Sequence, residues 1–272
     1  MPNVKRNSNS QPQEENGDLP PIAANEDSAE GALIHHLLEL RERLLYVIAF
    51  FAVCFGVAYF FAQDLFALMV KPLAAAFGES QGRRLIYTGL AEAFVTYLKI
   101  AFFTAGFVTL PLLAMQVWKF IAPGLYANER KTFFPFLVAT PLLFFCGGIF
   151  AYTVIIPNAW AFFLQFETPA EVTALSIQLE ARVGEYLALT MQLVMAFGIC
   201  FLLPVLLVLL GRIGILTVSQ LAGSRRYAFV GIMALAALIT PPDVLSMIGL
   251  ALPLYGLYEV SIVLLRLLVP KK

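Results

Sequence analysis

The chain has 272 residues, of which 60% are hydrophobic and 13% are charged, whereas soluble domains carry about 45–50% apolar and about 25% charged residues. Its 18 basic and 18 acidic residues balance, which argues against a basic nucleic-acid binder and against an acidic solvating chain. A soluble enzyme with one buried core is excluded, because so many long apolar runs could not all be hidden inside a chain of this length. The composition predicts an all-α integral membrane protein that crosses the bilayer several times.

The N-terminal segment differs from the rest of the chain. Residues 1–30 are polar, acidic and contain proline, so they bury too little apolar surface to offset the entropy of ordering. They contain no apolar core of a signal peptide, and their acidic residues are untypical of a transit peptide. We therefore predict a disordered acidic cytoplasmic tail over 1–30, a membrane domain over 31–268 and a cytoplasmic C-terminal end over 269–272.

An amphipathic helix is predicted next. Leu33, Leu37, Leu40 and Leu44 recur at spacings of four, three and four, which places them on one face of a helix lying at the membrane surface. Six apolar segments follow, at 44–62, 94–118, 133–156, 187–210, 227–239 and 244–265.

The fifth apolar segment is unusually short. A membrane-spanning helix needs about 20 residues, and 227–239 offers 13 before the break at Thr240-Pro241-Pro242-Asp243, which is ~20 Å against a hydrocarbon core of ~30 Å. Segments five and six either form a short crossing hairpin that thins the bilayer or re-enter without crossing. We favour the hairpin. Prolines in several spans predict kinks and a concave bundle of six transmembrane helices.

The distribution of basic residues predicts the orientation. With the N-terminus inside, thirteen Lys and Arg residues face the cytoplasm and four face the opposite side, so both termini are expected to be cytoplasmic. The segment 63–90 is then an external loop, and its apolar residues Leu65–Val70 predict that it rests on the outer interface.

No enzyme motif appears in the chain, and we predict no catalytic residue, no metal and no cofactor. Its three cysteines lie in apolar runs without metal-ligand spacing. The strongest binding candidates are two carboxylates expected at the cytoplasmic face, Glu39 and Glu129. Each also has an ordinary structural interpretation, since Glu39 can pair with Arg43 four residues on, and Glu129 can face a helix dipole behind Asn128.

Other polar residues are weaker candidates. Asp243 follows two prolines, which is ordinary turn chemistry. Lys99 follows Glu92 by two helical turns and is an ionisable group inside a span, a functional candidate by default. Glu259 is expected to reach the interface or to pair with Arg266. Phe120 and Trp118 suit the membrane interface.

Three motifs together resemble one family. HLLELRERL at 36–44, WKFIAPGL at 118–125 followed by Glu129-Arg130, and TPPD at 240–243 are similar to the first helix, the first cytoplasmic loop and the last external turn of the TatC family, the receptor subunit of the twin-arginine protein translocase. The similarity runs from about residue 33 to 268, in the same order and with the same six-span spacing.

The resemblance implies a non-enzymatic subunit of the bacterial cytoplasmic (inner) membrane, which binds twin-arginine signal peptides of folded cargo for translocation driven by the proton-motive force. Its implied partners are TatB-type and TatA-type single-span subunits in a multimeric complex. Carried over by residue, Glu39 and Glu129 receive the arginine pair, and Arg41 and Phe120 shape the same surface. Pro72 and Asp243 match positions that the family uses in assembly or transport.

One residue departs from the family pattern. Many members carry an acidic residue in span four just before its proline, where this chain has Leu202 before Leu203-Pro204, and the nearest amide in that span is Gln192. A mechanism that needs a buried protonatable group there is not supported for this chain. The alternative function, a small-solute secondary transporter, predicts polar groups at mid-membrane and two related halves, and the apolar span centres do not favour it.

Overall fold

The computed structural model describes residues 23–77, 84–121, 130–167, 179–240 and 244–268, with the backbone alone for 23–37, 120–121, 130–134 and 245. The chain divides into two compact units, Met1–Glu42 and Arg43–Lys272, and the packing discussed below lies within the second. The predicted tail boundary at residue 30 stays a prediction, since 1–22 lie outside the described residues and helix begins at Ala23.

Regular structure in the described ranges is helical, which confirms the all-α prediction, and a single isolated bridge joins Ile86 to Arg182. In chain order the elements are α1 (Ala23–Phe60), α2 (Ala62–Phe77), α3 (Glu92–Ile121), α4 (Arg130–Phe150), a π-helical turn (Ala151–Ile155), α5 (Ile156–Leu164), α6 (Val183–Cys200), α7 (Leu203–Arg212), α8 (Val218–Gly223), α9 (Arg225–Ile239) and α10 (Val244–Leu268).

Five helical stretches in these ranges are long and apolar enough to cross a membrane: Leu38–Phe60, Glu92–Lys119, Pro135–Leu164, Val183–Arg212 and Ser246–Leu268. They correspond to predicted segments one to four and six. The fifth predicted segment corresponds to α9, which has 15 residues. The count of six spans and the orientation of the termini stay predictions.

The segment expected to be an external loop contains a helix instead. Residues 62–77 form α2, which packs against α3 and α5. Leucine, alanine and methionine are good helix formers, and Asp64 in the first turn faces the positive end of the helix dipole. Pro72 inside this helix is untypical of a helix interior, and it concealed the helix from the sequence.

Two prolines explain breaks in the long helical stretches. Before Pro157 the chain makes a π-helical turn, in which the Ile156 N–H donates to the Ala151 carbonyl, and the Asn158 amide donates to the Val154 carbonyl at 2.7 Å. Before Pro204 the chain makes a turn at residues 201–202, and α7 then continues from α6. A proline lacks the N–H that would continue the helical ladder, so both breaks follow from local sequence.

Among the described helices, α4 and α6 make the most extensive contact with each other. A Cβ atom at Gly147 would lie 2.5 Å from the carbonyl oxygen of Phe197, so only glycine permits this approach of the two backbones. Phe144 and Phe197 are fully buried at the contact. Small residues that allow close backbone contact are the usual basis of helix packing in membranes, where lipid supplies no hydrophobic drive between helices.

Candidate functional site

The predicted peptide-binding residues are only partly described. Glu39 is half-buried and Arg41 is exposed on α1. Phe120 lies near the end of α3, but its side chain is outside the described part, as are Glu129 and Asp243. The convergence of Glu39 and Glu129 on one ligand therefore stays a prediction.

One helical turn after Glu39, a polar contact joins α1 to α3. The Arg43 guanidinium Nη1 donates to Gln116 Oε1 at 3.3 Å. Gln116 lies one turn before Phe120, so the contact fixes the end of α3 against α1. The sequence analysis missed this contact. The available signal in the sequence was Gln116 itself, a polar residue in an otherwise apolar run.

Pro72, predicted to act in assembly or transport, frees one carbonyl of α2 to accept a hydrogen bond from a tyrosine of another element. Because proline has no N–H, the carbonyl of Leu68, four residues earlier, has no helical donor. The Tyr152 hydroxyl donates to that carbonyl at 2.7 Å, and the Tyr186 hydroxyl donates to the Met69 carbonyl at 2.6 Å. Pro72 is itself buried. The carbonyl that Pro72 frees thus joins α2 to the π-helical turn, and the Tyr186 contact joins α2 to α6.

Glu92 joins the beginnings of two helices. Its Oε2 accepts hydrogen bonds from the backbone N–H groups of Thr88 at 2.7 Å and Gly89 at 3.1 Å, just before α3. Its Oε1 accepts from the N–H of Gly184 at 3.2 Å, in the first turn of α6. Free N–H groups at a helix start favour a carboxylate. The sequence had related Glu92 only to Lys99, and the structure assigns it this connecting role.

The same two chain segments are also bridged through the backbone. The Ile86 N–H donates to the Ala181 carbonyl at 3.2 Å, and the Val183 N–H donates to the Ile86 carbonyl at 3.1 Å. The Arg182 guanidinium reaches the Thr88 hydroxyl at 2.6 Å. The segments before α3 and before α6 therefore form one connected cap. Their separation of almost 100 residues explains why periodicity could not predict it.

A largely apolar groove lies between α1, α3 and α6, with a volume of about 580 Å³. Lys99 and Gln192, which the sequence had marked separately as unusual polar residues, both line it. Its lining includes Phe55 from α1, Lys99, Phe102 and Gly106 from α3, and Met191 and Gln192 from α6.

Gln192 also ties α6 to the short helix α9. Its Nε2 donates to the carbonyl of Ile239, the last residue of α9, at 3.2 Å. Leu202 is half-buried at the break between α6 and α7 and contributes an apolar side chain there. The polar group that α6 offers to the groove is therefore an amide.

The beginning of α9 is held by an ion pair. Arg225 donates from Nε to Glu259 Oε1 at 2.8 Å and from Nη2 to Oε2 at 2.9 Å. Glu259 was expected to reach the interface or pair with Arg266, and its bidentate partner is Arg225. Nearby, the Tyr258 hydroxyl donates to the Leu221 carbonyl at 2.7 Å.

Comparison with known proteins agrees with this architecture. A family model described as Sec-independent protein translocase protein (TatC) matches residues 35–253. TatC of Rickettsia prowazekii is 42% identical over 229 residues, which cover 84% of this chain and 90% of the relative. TatC of Escherichia coli K12 is 39% identical over 239 residues, covering 88% and 90%.

A solved structure is similar over nearly its whole length. A crystal structure of the twin-arginine translocase receptor TatC in DDM aligns with a TM-score of 0.72 and 34% sequence identity. The alignment covers 85% of this chain and 99% of that chain.

Proposed function

The chain belongs to the TatC family of Sec-independent protein translocase proteins, and from this premise we propose that it is the core and signal-peptide receptor subunit of a twin-arginine export system. In this role it binds the paired arginines of signal peptides on folded cargo, for translocation driven by the proton-motive force. The family consists of protein translocase proteins, so the alternative function, a small-solute transporter, is not favoured.

The observation that carries the proposal is the placement of Glu39. It is a half-buried carboxylate on α1, one helical turn before Arg43, whose guanidinium contacts Gln116 of α3. A guanidinium binds a carboxylate through two parallel hydrogen bonds, and partial burial strengthens them. Two arginines need two such acceptors, and Glu129 is the proposed second one. Arg41 and Phe120 complete the surface.

The test is photo-crosslinking of a twin-arginine precursor to membranes that contain the protein. Because a hydrogen bond to a charged group contributes about 1.5–3 kcal/mol, Glu39→Ala combined with Glu129→Ala should reduce crosslinking and export by on the order of tenfold or more. Glu42→Ala, which removes an exposed carboxylate from the same helix, is the matched control and should have no effect.

Two outcomes would reject the recognition role. One is undiminished crosslinking and export in the double variant. The other is equally tight binding of a precursor whose two arginines have been replaced by glutamines.

We further propose six spans in the bacterial inner membrane, with α9 as the short fifth span and both termini cytoplasmic. The surplus of basic residues on one side supports this orientation. Gly89 and Ser224 are both exposed and are assigned to opposite sides. A membrane-impermeant maleimide added from outside should label Gly89→Cys and leave Ser224→Cys unlabelled, and the reverse pattern would refute the orientation.

Pro72 and Asp243 are proposed to act in assembly or transport, with TatB-type and TatA-type single-span subunits as partners. The contacts of Tyr152 and Tyr186 with the turn before Pro72 support a positioning role for this proline. Pro72→Ala restores a helical donor to the Leu68 carbonyl and should reduce co-purification of the single-span partners. Unchanged co-purification would show that Pro72 has no role in binding the single-span partners.

A further inference from the structure

The groove between α1, α3 and α6 combines apolar walls with one cation. Its walls include Phe55, Phe102 and Met191, and Gly106 leaves it open because no side chain projects there. Its volume of about 580 Å³ falls within the range of small-ligand sites, about 300–1,000 Å³. A groove of this size suits a flexible chain of methylene groups better than a whole helix.

Lys99 gives the groove its charge. Its side chain is exposed, and within the described ranges it has no hydrogen-bond or ion-pair partner. Side chains on a helix tilt toward its N-terminus, so Lys99 points back toward Glu92 and the proposed outer face. A lysine in an apolar setting extends its stem along the apolar surface and places its ammonium group at the interface. The cation therefore sits where the headgroup of a lipid in the groove would lie.

Gln192 lines the groove almost without polar surface, since its amide is directed to the Ile239 carbonyl through Nε2. A ligand that matches the groove therefore has an anionic group for Lys99 and an apolar chain for the walls.

We propose that this groove binds one acyl chain of an anionic phospholipid whose phosphate pairs with Lys99, as in phosphatidylglycerol. Charge complementarity and volume both support a lipid in preference to a transmembrane peptide. The site is independent of the peptide-recognition role, since it involves neither Glu39 nor Glu129.

Native mass spectrometry of the full chain in mild detergent tests the proposal, with phosphatidylglycerol and phosphatidylcholine of the same acyl composition as probes. The unaltered protein should retain phosphatidylglycerol preferentially. Because a partly exposed ion pair is weak, Lys99→Met should reduce that retention by about threefold, and binding of phosphatidylcholine should not change. Lys99→Arg keeps the charge and should keep the preference.

Lys71→Met is the matched control, because Lys71 is also exposed but lies on α2 outside the groove. It should leave the preference intact. Gly106→Phe should fill the groove and reduce retention of both lipids. The melting temperature of each variant is measured alongside, and phosphatidylglycerol should raise it less in Lys99→Met than in the unaltered protein.

One result would overturn the proposal, namely that Lys99→Met retains phosphatidylglycerol as well as Lys71→Met does. If Lys99→Met then also lowers precursor crosslinking, the occupant of the groove is a polypeptide.

Discussion

The α4–α6 pair and the short helix α9 are stabilised in different ways. Helices α4 and α6 meet along closely packed backbones at Gly147, with Phe144 and Phe197 fully buried. In α9, by contrast, only Ile232 and Ala236 are buried, and a polar contact ties each end: Arg225 to Glu259 at the start and Ile239 to Gln192 at the finish.

This contrast shows two solutions to one physical problem. Within a membrane, an apolar side chain gains little by moving from contact with lipid to contact with another helix. Helices there associate through close packing or through polar contacts. A long helix can use shape along its whole length, whereas α9, with 15 residues and a length of ~22 Å, has little area to pack. Polar contacts at its two ends compensate for that small area.

The largest effect is expected where packing dominates. Gly147→Leu places a side chain against the Phe197 carbonyl, a backbone atom that cannot move aside, and should destabilise the protein by about 3 kcal/mol. The loss of stability is measured as a lower melting temperature, with size-exclusion chromatography detecting the fraction that stays folded after heating. Gly56→Leu is the control, since no heavy atom lies within 4 Å of a Cβ at Gly56. Equal melting temperatures for the two variants would contradict the role of close backbone packing.

A smaller effect is expected at the start of α9. Arg225→Met leaves the Glu259 carboxylate without its bidentate partner, and Glu259→Met does the same to Arg225, so each should lower the melting temperature by a few degrees. The double variant should fall no further than either single variant, because it leaves no charge unpaired. Arg226→Met serves as the neighbouring control. Strictly additive losses would show that the pair does not act as a unit.

The smallest effect is expected at the end of α9. Gln192→Leu removes one hydrogen bond to the Ile239 carbonyl, and a single such bond contributes about 1 kcal/mol. Deuterium uptake should increase in the last turn of α9 and stay unchanged in α4, because the lost contact is local. Met191→Leu, the adjacent substitution on α6, should leave uptake as it is. A uniform increase over the whole bundle would refute a local tie.

The sequence predicted the apolar helices well and their polar contacts poorly. Hydropathy identified the five long apolar stretches and the short fifth segment, since each depends on residues adjacent in the chain. It missed helix α2, because Lys71 and Pro72 interrupt its pattern. It also missed the bidentate partner of Glu259, because Arg225 precedes it by 34 residues and helical spacing does not relate the two.

The candidate site divides in the same way. The motifs at 36–44, 118–125 and 240–243 pointed to the TatC family, and the family match bears that out. The joint placement of Lys99 and Gln192 in one groove was not predictable, because it depends on how α3 and α6 are rotated against each other. The same holds for Glu92, which bonds to the starts of two helices that are distant in the chain.

The amino-acid sequence alone determined that this is a helical membrane protein, where its apolar helices lie and to which family it belongs. These properties are local: an apolar stretch of sufficient length must satisfy its own backbone hydrogen bonds in lipid. Only the tertiary structure decided which polar groups meet, such as Tyr152 with the Leu68 carbonyl. Such contacts need distant helices to match in depth and in rotation about their axes, and the packing of the whole bundle sets that match.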